Sequence, residues 1–522
     1  MTATGGDPTT IPGLLAATAA ERADALSVAD GTVRLSWGEL LAASRDFGAA
    51  LIADGVEPGD RVAIWAPNGH RWIVAVLGLF QAGATLVPVN TRWKGAETAD
   101  VLRRSRAKVL VTPRTFLDTD YVGMLEQIRA ELPDLRTTVI AEGEEWDAFV
   151  TRADDRSRAE VKRRSAAVAA DDPSDILFTS GTTGAPKGVI STHGRTLRVA
   201  TDWVAMTGLS ADDRYLMINP YFHMFGLKAG ILACVASGAA MFPEPVFDVD
   251  RVLGRVAEER ITVLPGPPTL YQSILDHPAR DRRELSSLRV AVTGAADIPV
   301  ELIQRVRADM PFEAVLIGYG LSEAGTASAT SPDDDPETAA TTVGRPRPGF
   351  EVRIVDGDHD VETGETGEIL LRGPSVMVEY LHDPEATAEA LSTDGWLRTG
   401  DLGVLDQRGY LRIVGRAKDM FIVGGFNAYP AEIENLLLRH PVVRQAAVIG
   451  IPDERLGEVG MAFVVTASDD PAVAGDIEAW CRDQMANYKV PRAVEVVDEL
   501  PISATGKVVK DELRVLATKR AR

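Results

Sequence analysis

The stretch DILFTSGTTGAPKG, Asp175 to Gly188, joins a short apolar run to ten positions holding four hydroxyl side chains, three glycines and one lysine. An apolar run that ends in Thr, Ser and Gly reads as a strand handing over to a loop. Glycines let the backbone approach an anion closely and take positive φ. Backbone amides and the hydroxyls of Thr179, Ser180, Thr182 and Thr183 donate hydrogen bonds, and Lys187 adds a cation, so a phosphate is the natural guest. The Walker pattern G-x-x-x-x-G-K-S/T does not fit, because Lys187 follows Pro186 and precedes Gly188. A mobile surface turn is the bland alternative, and the ten-residue pattern weighs against it.

The same grammar continues on both sides. RVAIWAP, HRWIVAVLGLFQAG and TLVPVN read in order as strand, helix and strand, and AKVLVTP, RYLMIN, ITVLPG, LRVAVTG and AVLIGYG are further strands ending in turn residues. An α/β architecture follows, with ligands expected at the loops beyond the strand ends. From about Phe350 the texture changes to short strands, EVRIVDG, GEILLRGP and GYLRIVGR, which predict a small β subdomain. The last hundred or so residues return to mixed α/β, and GRAKDMFIVGGF, Gly415 to Phe426, marks the boundary. SPDDDPETAATTVGRPRPG reads as an acidic, proline-rich surface loop.

The chain has 522 residues, 45% of them hydrophobic, which is long enough for more than one domain. A formal net charge of -21 opposes attraction to nucleic acid or anionic lipid. Two distant cysteines, Cys234 and Cys481, suggest neither a disulfide framework nor a cysteine zinc site, and a reducing, cytoplasmic setting is expected. No export signal or membrane-spanning apolar run is expected either.

A second loop, GYGLSEAG from Gly318, presents Tyr319, Ser322 and Glu323 beyond the strand AVLI. An aromatic ring, a hydroxyl and a carboxylate suit base stacking, phosphate bonding and Mg²⁺ ligation. The same residues nearly match the hydrolase elbow G-x-S-x-G, with His223 available as base, although Ala324 stands where the second glycine belongs.

Together with GWLRTGD (Gly395 to Asp401), GRAKDMFIVGGFNAYPAEIE (Gly415 to Glu434) and PISATGK (Pro501 to Lys507), these stretches resemble the adenylate-forming superfamily of acyl-CoA synthetases, adenylation domains and luciferases along nearly the whole chain. The resemblance implies a large N-terminal adenylate-forming domain over 1–414, made of stacked α/β subdomains and a small β subdomain. A hinge at 415–419 and a small mobile α+β lid over 420–522 would follow. It further implies that Thr179, Ser180, Gly181, Thr182, Thr183, Gly184 and Lys187 hold the β- and γ-phosphates of ATP. Tyr319 and Gly320, with Gly294, Ala295 and Ala296 beside them, would hold adenine; Ser322 would bond phosphate and Glu323 would carry Mg²⁺. Ser322 stands where the family more often has Thr. Asp401 would accept the ribose hydroxyls with help from Arg416, and Lys507 would bridge carboxylate and α-phosphate during adenylation. Lys418 matches the pivot, and Gly424 and Gly425 the approach to the coenzyme A tunnel.

The acyl pocket of the family matches NPYFHMFGLKAGILAC and VLPGPPTLYQS, which offers Tyr221, His223, Phe225, Lys228 and Pro267, with His223 as the gate. Lys228 reads either as a donor to a substrate carbonyl or as a residue on a solvated helix face. These segments resemble one subgroup most, the ligases of actinobacterial steroid catabolism that activate the indanedione propanoate left from the C and D rings. A medium-chain or aryl acid ligase shares every motif. A carrier-loading adenylation enzyme, with no carrier segment following Arg522, a serine hydrolase and a non-catalytic nucleotide binder are the weaker readings. The expected partners are a small carboxylic acid, ATP and CoA, without nucleic acid or integral membrane association, and a homodimer is the assembly considered.

Overall fold

The computed structural model describes residues 9–179, 186–294, 300–424, 426–453, 455–467, 472–503 and 507–520. The fold is mixed α/β, and its apolar runs are strands where the sequence placed them. A seven-stranded sheet runs in the order Glu379–Tyr380, Lys187–Thr192, Pro173–Thr179, Thr85–Pro88, Arg61–Ile64, Val109–Thr112 and Thr137–Ile140. Its strands from Pro173–Thr179 onward pair parallel. A nine-stranded sheet has a parallel centre of Ala240–Pro243, Arg214–Met217, Val263–Pro265, Val290–Gly294 and Ala314–Leu321, with antiparallel strands at both margins.

The largest apolar cluster lies between these two sheets. It draws Val62, Ile64 and Leu86 from one and Tyr215, Met241 and Val292 from the other, with Phe47, Leu77, Leu197 and Trp203 from helices between them. A helix enclosed by two sheets must be apolar on most of its surface. His70–Gln81 meets that demand, since every residue from Trp72 to Gln81 is buried. It also crosses helix Trp37–Ala53 at close range: a Cβ on Gly48 would stand 2.6 Å from the Gly78 carbonyl oxygen, and one on Gly78 would stand 2.5 Å from that of Ser44. Any larger residue at either position would push two backbones apart.

Beyond Phe350 the chain forms a five-stranded antiparallel sheet, ordered His359–Asp360, Glu351–Asp356, Gly367–Arg372, Leu397–Leu405 and Leu411–Arg416. The next strand, Phe421–Val423, belongs to a different sheet with Phe426–Ala428, Gly457–Thr466, Val443–Asp453 and Ala493–Val496. Among the described residues, the two apolar clusters built on this last sheet draw only on positions from Phe421 to Ala517. Contacts between this region and the preceding part include Arg92 Nη1, which donates to the Ile502 carbonyl at 3.2 Å, and Arg439, which lies 3.5 Å from Glu301.

The acidic stretch expected to be a surface loop contains a helix, Pro336–Thr341. Asp335 caps it by accepting from the Thr338 amide, and Pro336 occupies its first turn, where a missing N–H costs nothing. Its Ala339 and Ala340 face the interior and are buried.

Candidate functional site

Residues flanking the opening loop are held as a hairpin stem. Thr179 pairs antiparallel with Lys187, whose carbonyl the Thr179 hydroxyl reaches at 3.5 Å, while Arg104 donates to the Pro186 carbonyl at 2.6 Å. Ser180, Gly181, Thr182, Thr183 and Gly184 lie outside the described residues. The Lys187 ammonium lies 5.0 Å over the Tyr380 ring, and the Tyr380 hydroxyl donates to Glu323 Oε1 at 3.0 Å. Tyr380 thus links the loop lysine to the carboxylate of the second loop. No sequence spacing pointed to it, since it stands on a short edge strand that pairs with Lys187–Thr192 only in the fold.

The second loop is the tip of a β-hairpin, Ala314–Leu321 with Gly325–Ala329. Ser322 and Glu323 occupy the turn, and Gly325 takes φ +76° to close it. A nucleophile elbow needs a helix after the serine. A strand follows here, so the hydrolase geometry is absent.

Gly294 lies opposite Gly318 on the neighbouring parallel strand, and a Cβ there would stand 2.4 Å from the Gly318 carbonyl oxygen. The same crowding, at 2.4 Å from the Gly325 carbonyl oxygen, holds for Gly320. Ala295 and Ala296 lie outside the described residues.

Tyr319, mostly buried at the end of its strand, donates its hydroxyl to Asp401 Oδ2 at 2.7 Å, and Arg416 Nε meets Asp401 Oδ1 at 3.1 Å. Asp401 and Arg416 face each other across two antiparallel strands. Burial, reinforced by Asp401, pushes the Tyr319 hydroxyl well above its ordinary range, so it stays a donor. Burial also raises the Glu323 carboxyl; hydrogen bonds from its own backbone and from Tyr380, together with Arg416, oppose this, and Asp401 adds to it. The Glu323 carboxylate therefore sits where added positive charge is favoured. A hard divalent cation held by one carboxylate, water and phosphate oxygens fits such a donor. Among the described residues no cluster of three or more metal-binding side chains occurs.

His223 caps the turn Met224–Gly226 by accepting from the Phe225 amide through Nδ1 at 3.2 Å. Burial, and then the positive charge of Lys507, push its pKa down to about 4, so the imidazole is neutral at pH 7. Lys507 is therefore within electrostatic reach of His223. The Ser503 amide donates to the Lys507 carbonyl at 2.7 Å and the Lys507 amide to Ser503 Oγ at 3.1 Å. Ile502 and Val508 form an antiparallel bridge.

Two pocket assignments need correction. Tyr221 is fully buried, packed on Trp72 at 5.2 Å with its hydroxyl on Met217 Sδ, so it lies behind the wall and not on its surface. Lys228 does not face solvent: it is 2% exposed and meets Asp175 Oδ1 at 2.9 Å. A buried ammonium requires a counter-ion, and Asp175 supplies it. Phe225, edge-on to Trp203, and Pro267, ahead of helix Pro268–Leu275, are half-buried. Lys418 is exposed between the two sheets, and Gly424 is exposed with φ +57°. Gly425 lies outside the described residues.

The model of AMP-binding enzymes matches residues 15–381, and that of the AMP-binding enzyme C-terminal domain matches 432–507. The chain belongs to the AMP-binding enzymes. Two relatives of this family member are the 7a-methyl-1,5-dioxo-octahydroinden-4-yl propanoyl:CoA ligases of Rhodococcus jostii and Mycobacterium tuberculosis. The first is 49% identical over 97% of this chain and 98% of its own. The second is 51% identical over 92% and 94%. Among solved structures, the anthranilate CoA ligase AuaEII in complex with anthranoyl-AMP superposes with a TM-score of 0.88 at 28% identity, covering 97% of each chain. Large and small domains of an AMP-binding enzyme thus both have their counterparts here.

Proposed function

We propose that this AMP-binding enzyme is an AMP-forming acid–CoA ligase whose acid is the bicyclic indanedione propanoate. The observation that carries the reading is half-identity, over nearly full length on both sides, to two ligases named for that acyl group. ATP, CoA and a small carboxylic acid are the substrates. In the first step the acid carboxylate attacks the α-phosphorus of ATP in line, giving acyl-AMP and pyrophosphate; in the second the CoA thiol displaces AMP. Positioning and charge neutralisation carry most of such a displacement.

In this reading each residue has a part. The Thr179–Lys187 loop cradles the β- and γ-phosphates, Tyr319 and Gly294 line the adenine, and Asp401, aligned by Tyr319 and Arg416, accepts the ribose diol. Lys507 neutralises charge developing between carboxylate and α-phosphate. Ser322 bonds phosphate, while His223, being neutral, gates the acid against the thiol without competing for the phosphate charge. Glu323 would hold Mg²⁺, which when bound neutralises phosphate charge. The part from 420 to 522 serves as a lid turning at 415–419 about Lys418, with Gly424 and Gly425 nearer the thiol in the second step. No helix among the described residues is long and apolar enough to cross a membrane. Cytoplasmic residence and a homodimer remain parts of the proposal.

Product analysis tests the chemistry. With ATP, Mg²⁺, CoA and the indanedione propanoate, we expect AMP, pyrophosphate and the acyl-CoA in equal amounts; ADP and phosphate, or AMP without thioester, would overturn the reading.

A further inference from the structure

The wall segment Leu227–Leu232 is a π-helix, and all six of its residues are buried. A π-turn admits an extra residue, which displaces the following carbonyls and side chains from α-helical register; such turns occur mostly singly, often at functional sites. Two polar tethers hold this one. From strand Arg214–Met217 the Tyr215 hydroxyl donates to the Ala229 carbonyl at 2.8 Å. The second tether is the Lys228–Asp175 pair.

Asp175 is fully buried. Its Oδ2 receives the Ser174 hydroxyl at 2.7 Å and the Thr196 hydroxyl at 2.8 Å. Its Oδ1 takes no such hydrogen bond and meets the Lys228 ammonium at 2.9 Å. One partner therefore stands on the strand Pro173–Thr179, which opens into the phosphate loop. The other stands one helical turn and a residue beyond His223. A Cβ on Gly226, between His223 and Lys228, would stand 2.2 Å from the Pro220 carbonyl oxygen, so the backbone joining Lys228 to His223 packs directly on the preceding turn. Buried ion pairs are seldom more stabilising than apolar residues of the same volume. Stability alone does not account for placing one here.

We propose that Lys228 and Asp175 form a positioning pair: they fix the His223-bearing wall against the strand that carries the phosphate loop, so that the acid carboxylate meets the α-phosphate in line. Neither residue touches substrate. The inference rests on the ligase reading above and names residues that set its first step.

The test uses the full-length enzyme and two separate assays, acid-dependent ATP–pyrophosphate exchange and thiolysis of supplied acyl-adenylate. In Lys228→Met with Asp175→Asn both charges go while an acceptor remains for Ser174 and Thr196. We expect this variant to keep its unfolding midpoint, to lose roughly ten- to a hundredfold in the exchange rate, as a displacement of about 1 Å would impose, and to retain thiolysis. Lys228→Arg keeps the charge but changes its reach, and should fold normally with an intermediate exchange rate. A folded double variant that exchanges at the wild-type rate would overturn the proposal, as would parallel loss of both half-reactions together with the midpoint. Should the double variant fail to fold, wild-type exchange by Lys228→Arg overturns it instead. Wild-type enzyme that exchanges with no acid defeats the ligase reading, and the inference with it.

Discussion

Replacing Lys507 by alanine separates the two half-reactions. Residues on either side of 504–506 are tied together by the Ile502–Val508 bridge and the Ser503–Lys507 hydrogen bonds, and Arg92 donates to the Ile502 carbonyl. Arg92 itself projects from a fixed loop: its amide donates to Asn90 Oδ1 at 2.9 Å, and the Tyr121 hydroxyl holds the Thr91 carbonyl at 2.9 Å. If Lys507 is the cation at the α-phosphate, removing one such preorganised donor from developing charge costs about 10²- to 10³-fold in rate. Removing the exposed Arg92 side chain deletes one hydrogen bond to a carbonyl, about 0.5–1.5 kcal/mol, so adenylation should fall only about two- to tenfold. Acid-dependent ATP–pyrophosphate exchange measures both losses, and thiolysis of supplied acyl-adenylate should survive Lys507→Ala. Wild-type exchange in Lys507→Ala, equal loss of thiolysis, or a larger loss in Arg92→Ala than in Lys507→Ala would refute the reasoning.

Asp401→Asn removes the charge that Tyr319 and Arg416 align, at about 1.5–3 kcal/mol for a hydrogen bond to a charged group. We expect kcat/KM for ATP to fall about ten- to a hundredfold, and an unchanged KM for ATP would exclude the ribose role. Gly294→Ala places a methyl 2.4 Å from a backbone carbonyl oxygen that cannot swing aside. The expected cost of about 1–3 kcal/mol should show as a lowered urea midpoint and weaker ATP binding. His193, buried and pushed down to about 4, is neutral in the fold, whereas the unfolded chain takes up its proton near pH 6.5. Its contribution is therefore complete above pH 6.5 and lost as pH falls toward 4, with a ceiling of about 3 kcal/mol. His193→Gln should flatten the unfolding midpoint over that range, and an unaltered acid sensitivity would count against it.

Much of the fold was legible because apolar runs bounded by Gly, Pro and Asn admit few alternatives to buried strands. The strand Pro173–Thr179, which leads into the Thr179–Lys187 loop, was legible because an apolar run ending in Thr, Ser and Gly hands over to a turn. Other features depend on partners distant in sequence. Lys228 stood out as a charge in an apolar run, but its counter-ion Asp175 lies on another element, and Tyr380 reaches Glu323 only because two edge strands pair. The hairpin after Glu323 did have a local signal in Gly325, whose positive φ closes the turn. Likewise, Asp335 followed by Pro336 is a helix-start signal that the surrounding acidic composition obscured.

The most direct measurement is kcat/KM for the indanedione propanoate beside octanoate, benzoate, palmitate and an intact-ring steroid acid, with the CoA thioester identified by mass. The account expects the bicyclic acid to exceed each of the others by about a hundredfold or more, the upper range that apolar pocket fit supplies. Equal or better turnover of octanoate or benzoate would contradict the assigned acid.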